Sequence, residues 1–138
     1  MTAPPALDDA RKDSLLETAA KALAKAYSPY SATRIAAALL TASGKVYVGA
    51  NVGNASSALN CCAEQVALMP AVMDGERRIA AIAVVQASGE VAVPCGRCLQ
   101  LLAEFADDVP VLSRGPKGRV EWRLKYLLPV PFRRSATG

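Results

Sequence analysis

Cys62-Ala63-Glu64 and Pro94-Cys95-Gly96-Arg97-Cys98 hold the residue types most capable of chemistry in this chain. Together they offer three thiolates to one metal ion, with a carboxylate two residues beyond the first. The chain contains no histidine. A zinc ion must therefore be held by sulfur or carboxylate, and a proton shuttle must be something other than imidazole. That excludes Ser-His-Asp, Cys-His and two-histidine metalloprotease chemistries. A carboxylate working beside a metal-bound water survives the exclusion.

The spacing predicts that Cys62 opens one helix and that Cys95 and Cys98 open another. Cys-x-x-Cys at a helix start lets two sulfurs converge on one ion. Three thiolates exceed the charge of Zn²⁺ by one, and two helix N-termini, each with about half a positive charge, suit that excess. Three protein ligands leave a fourth position for water, the pattern of catalytic rather than structural zinc. Cys61 is the one residue that could close it, and is expected to face away into packing. Glu64, on the first helical turn, is placed to exchange protons with such a water. The plainer role for Glu64 is an acidic residue favouring the helix dipole. A redox role for Cys95 and Cys98 is also open, since this motif lowers thiol pKa, but it leaves Cys62 and Glu64 unexplained.

Two helices must position these groups, and the rest of the chain frames them. Asp8 or Asp9 can cap a helix running to about Tyr27, with Leu15, Leu16, Ala19, Ala22, Leu23 and Ala26 near helical spacing. Ile35 to Thr41 and Val46 to Val52 read as strands joined by a turn at Ala42-Ser43-Gly44-Lys45. Asn51 to Asn60 is a polar loop. A helix follows from Cys62 to about Met73, with Pro70 expected to kink it or end it early. The apolar run Ile79 to Gln86 fits a buried central strand. The next helix runs from Pro94-Cys95-Gly96 to about Phe105. Val109 to Ser113 and Val120 to Lys125 are two more strands. This order predicts a three-layer α/β/α fold, a mixed five-stranded sheet flanked by helices.

The 138 residues suit one domain, with residues 1–6 and 133–138 as loose ends. Hydrophobic residues make up 52% but aromatics only 5%, so Ala, Val and Leu must fill the core, completed in part by neighbouring subunits. Net charge is +4, concentrated from Arg114 onward, where seven basic residues accompany one acid, Glu121. A solvated hairpin and tail explains this better than a nucleic-acid patch, because no aromatic stacking cluster accompanies the charges. Asp8, Asp9 and Asp13 stand where a signal peptide would be basic then apolar, and no run is apolar enough to span a membrane. A cytoplasmic location is expected, where four cysteines point to metal or catalysis before disulfides.

From about Ala26 to Phe132 the chain resembles the short, homotetrameric, zinc-dependent cytidine deaminases. The matching segments are Tyr27-Ser28-Pro29-Tyr30-Ser31, Asn51-Val52, Asn54-Ala55-Ser56, Cys62-Ala63-Glu64, Ala67-Leu68, Pro94-Cys95-Gly96, Cys98, Gln100, Leu102, Glu104-Phe105 and Leu127-Leu128-Pro129 with Phe132. The general Cys/Glu/Pro-Cys-x-x-Cys scheme is a known signature of zinc deaminases. The resemblance implies one zinc per subunit on Cys62, Cys95 and Cys98, with Glu64 moving protons while cytidine or deoxycytidine loses its amino group as ammonia. It implies that the Ala63 N–H holds the base carbonyl and that Asn51 contacts the sugar 3′-hydroxyl. It further implies that Ala55 and Phe132 enter a neighbouring subunit's pocket, Phe132 stacking on the base.

The chain departs from the family at the substrate shell. Gly53 stands where the family has a sugar-binding Glu, Thr33 where a Phe packs on the nucleoside, and Ser57 where a Tyr follows Ala-Ser. Gln65 and Leu99 replace two arginines, the first of which helps neutralise the thiolates, and Ile35-Ala36-Ala37-Ala38 replaces Val-Gly-Ala-Ala. Loss of a carboxylate gripping a hydroxyl removes a hydrogen bond worth about 1.5–3 kcal/mol. Two alternatives follow: a deaminase of another cytosine nucleoside, such as a blasticidin-type antibiotic, or a non-catalytic protein binding zinc and a nucleoside. Nucleic-acid editing is weaker, since such relatives usually place His where this chain has Cys62.

Overall fold

A computed structural model describes residues 7–136. Helix α1 spans Asp9–Ala22, capped by Asp8, whose carboxylate accepts the Arg11 N–H at 2.8 Å. It gives way at Ala22 to a tighter 3₁₀ turn over Leu23–Lys25, short of the expected end near Tyr27. Strands β1 (Ile35–Thr41) and β2 (Val46–Ala50) form a hairpin whose turn needs Gly44 at φ +96°. Strand β2 stops two residues earlier than expected, because Val52 leaves the sheet to bridge Tyr27 and Cys61 instead. Helix α2 (Ala63–Met73) and strand β3 (Ile79–Gln86) follow. Helix α3 (Gly96–Phe105) leads to β4 (Pro110–Gly115) and β5 (Gly118–Arg123), and the short helix α4 (Leu124–Leu127) ends the order.

Pro70 neither ends α2 nor shortens it. It lies on the exposed face, where water can satisfy the carbonyl one turn back that a proline cannot serve.

The strand order is β2-β1-β3-β4-β5, with β3 and β4 parallel and every other pair antiparallel. Alternation along the strands sorts the core into two faces. Ala37, Leu39, Ile82, Val84 and Val111 pack with Ala67, Leu68 and Leu102 of α2 and α3. Ala36, Ala38, Leu40, Ala83, Val85 and Leu112 pack with Leu15, Leu16 and Ala19 of α1. This is the three-layer arrangement the sequence implies. The alanines have a physical purpose: with little between backbone and helix, the layers approach closely. At Gly49 the approach is extreme, since a Cβ there would lie 2.5 Å from both the Ala63 carbonyl and the Ala67 nitrogen. Helix α2 therefore rests directly on β2.

The basic C-terminal region is largely an internal fastening. Arg119 pairs with Asp9 at 2.6 Å and Asp13 at 2.7 Å, Arg114 with Glu17 at 3.1 Å, and Lys12 with Glu121 at 2.8 Å. These contacts tie the β4–β5 hairpin to α1, and Arg123 reaches Asp108. Of the basic residues from Arg114 onward, Arg114, Arg119 and Arg123 thus have acidic partners within the chain. Among the described residues no helix is long and apolar enough to cross a membrane. The expected loose ends 1–6 and 137–138 lie outside the described residues, while residues 133–136 are exposed and irregular.

Candidate metal centre and substrate pocket

Cys62 and Cys95 each occupy the N-cap of a helix, α2 and α3, in extended conformation (φ −71°, ψ 154° and φ −70°, ψ 166°). Cys98 follows on the first turn of α3 and is buried. The three sulfurs lie within 4.8 Å of one another. Tetrahedral zinc at ~2.3 Å from sulfur sets its ligands about 3.8 Å apart, so the group needs only small side-chain adjustments to hold one ion. A borderline-soft dication suits this all-sulfur donor set. All four cysteines are unpaired thiols.

The sulfurs are electrostatically unequal. Burial, then the neighbouring Glu64 charge, pushes Cys98 far above the ordinary thiol value. Burial likewise raises Cys62, partly offset by a hydrogen bond with Cys98. Burial also works to raise Cys95, but hydrogen bonds from the Cys98 backbone and thiol and from Cys62 outweigh it and leave Cys95 below the ordinary value. Binding a metal must displace the protons held by this set, so affinity rises with pH.

Glu64 is 5% exposed, on the first turn of α2. Burial raises its carboxyl above the usual range, while its own backbone N–H and Cys98 pull it partly back. Among the described residues no buried side-chain nitrogen or oxygen lacks a partner.

A cavity of about 290 Å³ opens beside this cluster, walled by Cys62, Cys95, Glu64, Ala63, Asn51, Thr33 and Gly53 among others. That is close to the lower bound for small-molecule sites. It sits where β1 begins and β3 ends, with Ile35 and Val84 in its wall. Thus Thr33, Asn51, Gly53, Ala63 and Glu64 share one pocket with two of the cysteines. Ala55, Ser57 and Phe132 do not line it. Phe132 is 71% exposed, and its backbone is held by Gln100 of α3, which donates to its carbonyl at 3.0 Å and accepts its N–H at 2.9 Å.

Two expectations need correction. Cys61 is half-buried and lines the pocket rather than facing away into packing, though its thiol, at 3.7 Å from the Leu59 carbonyl, stands outside the three-sulfur group. Gln65 is not simply a lost cation: it accepts a 2.9 Å hydrogen bond from Arg97, which stands between Cys95 and Cys98 in sequence. The pair ties α2 to α3. Sequence reasoning gave no role to Asn60 or Arg97, because both act through partners distant along the chain. Ser28 and Ser31 had only the motif around Pro29 to mark them.

A sulfur triad at two helix starts, two of its members sharing a cavity with a buried carboxyl, fits a zinc centre of the Cys₃ type. A family model described as "Cytidine and deoxycytidylate deaminase zinc-binding region" matches residues 10–113, and the chain belongs to that family. It is 41% identical over 120 residues to a cytidine deaminase of Halalkalibacterium halodurans, covering 86% of this chain and 91% of the relative. It is 38% identical over 122 residues to a cytidine deaminase of Sporosarcina psychrophila, covering 87% and 90%. The crystal structure of cytidine deaminase from Burkholderia pseudomallei superposes with a TM-score of 0.81 at 40% identity, over 87% of this chain and 98% of that one.

Proposed function

We propose that the protein is a zinc-dependent cytidine deaminase, a single domain that converts cytidine or deoxycytidine to the uracil nucleoside with release of ammonia, in pyrimidine salvage. The observation that carries the proposal is the three sulfurs of Cys62, Cys95 and Cys98 within 4.8 Å, two of them sharing a cavity with buried Glu64. Zinc held by these cysteines supplies Lewis-acid activation of the attacking water.

The remaining work falls to the chain's own groups. Glu64 takes the first proton from the water and passes it to ring nitrogen N3 as the oxygen bonds to C4. It then takes the second and gives it to the 4-amino group, so that ammonia leaves and a C4 carbonyl remains. A carboxyl that burial raises above its usual range is suited to such two-way transfer. The Ala63 N–H, at the first position of α2, has no partner within the helix and can bind the base carbonyl. Asn51 meets the sugar, with Thr33 and Gly53 beside it. Ala55 and the projecting Phe132 complete the pocket of a neighbouring copy in a homotetramer; their position outside their own chain's cavity supports this. A reduced thiol set suits the cytoplasm. The blasticidin-type substrate is not favoured, since relatives at 38–41% identity are cytidine deaminases.

The test is zinc-loaded protein with cytidine, followed by loss of cytosine absorbance and by ammonia release. Both signals should appear in equal amount. Their absence from fully zinc-loaded protein overturns the assignment and leaves a nucleoside-binding role.

A further inference from the structure

The pocket wall built by residues 28–33 with Asn51, Gly53 and Asn60 is polar, yet much of its hydrogen-bonding capacity is taken up inside the protein. The Asn51 carbonyl oxygen accepts the Ile35 N–H at 2.9 Å, and its amide nitrogen donates to the Thr33 carbonyl at 3.0 Å. Both ends of that amide are thus fixed, and one N–H remains to meet a ligand. The single hydroxyl proton of Ser28 is directed at the Ser31 and Thr33 carbonyls, 2.7 and 2.8 Å away. Ser31 accepts the Thr33 N–H at 3.1 Å, and the Asn60 carbonyl oxygen accepts the Asn54 N–H at 2.7 Å.

What this wall lacks is an ionised acceptor. Among the described residues Glu64 is the one carboxylate lining the cavity, and it lies against Cys98. Gly53 helps keep the wall neutral: its N–H donates to the Tyr27 carbonyl at 2.7 Å, and a Cβ would lie 3.3 Å from that same oxygen. Tyr27, Ser28 and Pro29 are seated against a bare backbone. Ala55 and Phe132, proposed to arrive from a neighbouring copy, bring no carboxylate either.

We infer that Gly53 makes this enzyme weakly selective at the sugar 3′-hydroxyl, so that its substrates include cytosine nucleosides lacking that group. The inference rests on the deaminase reading above. A hydroxyl held only by neutral partners adds about two- to tenfold in kcat/KM, whereas one accepted by a carboxylate adds about ten- to a hundredfold or more. Removing a single hydroxyl from the substrate should therefore cost little.

The experiment compares kcat/KM for cytidine and 3′-deoxycytidine on the zinc-loaded protein and on Gly53→Glu and Gly53→Gln. For the wild type a loss of tenfold or less is expected, and a larger loss overturns the inference. Gly53→Glu should widen the ratio at least tenfold, since the Tyr27 carbonyl need yield only a few tenths of an ångström. Gly53→Gln, of the same size but neutral, should not. Equal widening by both variants would show that size rather than charge sets the ratio, and would also overturn it. If neither nucleoside is deaminated the deaminase reading itself fails. If cytidine is deaminated but its 3′-deoxy analogue falls by more than tenfold, only the inference at Gly53 fails.

Discussion

Gly49→Ala should damage the site by displacing the helix that carries half of it. The added Cβ would lie 2.5 Å from the Ala63 carbonyl oxygen and the Ala67 nitrogen, and 2.9 Å from the Val66 carbonyl carbon. All three are backbone atoms of α2, so no side chain can rotate away. Non-bonded heavy atoms prefer about 3.5–4.0 Å, and α2 must retreat from β2 by about 1 Å. Overpacking of this kind costs about 1–3 kcal/mol of stability. The larger consequence is geometric. Cys62 and Glu64 move with α2, whereas Cys95 and Cys98 stay with α3. Zinc ligand distances tolerate about 0.2 Å, so the displaced sulfur weakens binding by about tenfold or more. A misplacement of about 1 Å costs on the order of a hundredfold in rate. Zinc affinity measured by chelator competition, kcat/KM for cytidine and thermal unfolding should all fall together. A Gly49→Ala protein with wild-type zinc affinity and activity would refute the claim that this contact sets the position of α2.

Further outcomes follow from the same contacts. Cys62→Ala, Cys95→Ala and Cys98→Ala should each lose zinc by metal analysis of purified protein, whereas Cys61→Ala should retain it; full zinc in Cys62→Ala would remove that residue from the ligand set. Arg97→Ala should weaken zinc binding several-fold in chelator competition, because it removes the hydrogen bond that ties α3, which carries Cys95 and Cys98, to α2, which Cys62 caps. Tyr47 donates to Asp74 at 2.7 Å, and this hydrogen bond leads in pushing its phenol up to about 12. A raised folded-state pKa means that the stabilisation is complete below the ordinary value of about 10 and is lost as pH rises through about 12. Ultraviolet titration should find one late tyrosine, brought back toward 10 by Asp74→Asn; an unchanged late phase in that variant would disprove the link.

Much of this molecule was legible because its signals are local. Strands β1 and β3 occupy the segments expected of them, since continuous apolar runs bounded by turns have few other uses. Cys62, Cys95 and Cys98 could be grouped because sulfur ligands at helix starts leave a short-range pattern. The errors are non-local. Strand β2 ends early because Val52 finds partners in Tyr27 and Cys61, and α1 tightens after Ala22 under contacts that no periodicity records. The orientation of Asn51 depends on Thr33 and Ile35, and the Arg97–Gln65 pair spans two helices. Pro70 inside α2 contradicts its usual effect because the broken position faces solvent.

The central claim is that a sulfur-held zinc and the buried Glu64 act together on cytidine. It is tested most directly by comparing zinc content and cytidine turnover of the wild type with those of Glu64→Gln, which keeps size and burial but cannot carry protons. The account predicts one zinc per subunit in both proteins and turnover lower by about 10²–10⁴-fold in the variant. Turnover within tenfold of wild type in zinc-loaded Glu64→Gln would contradict it.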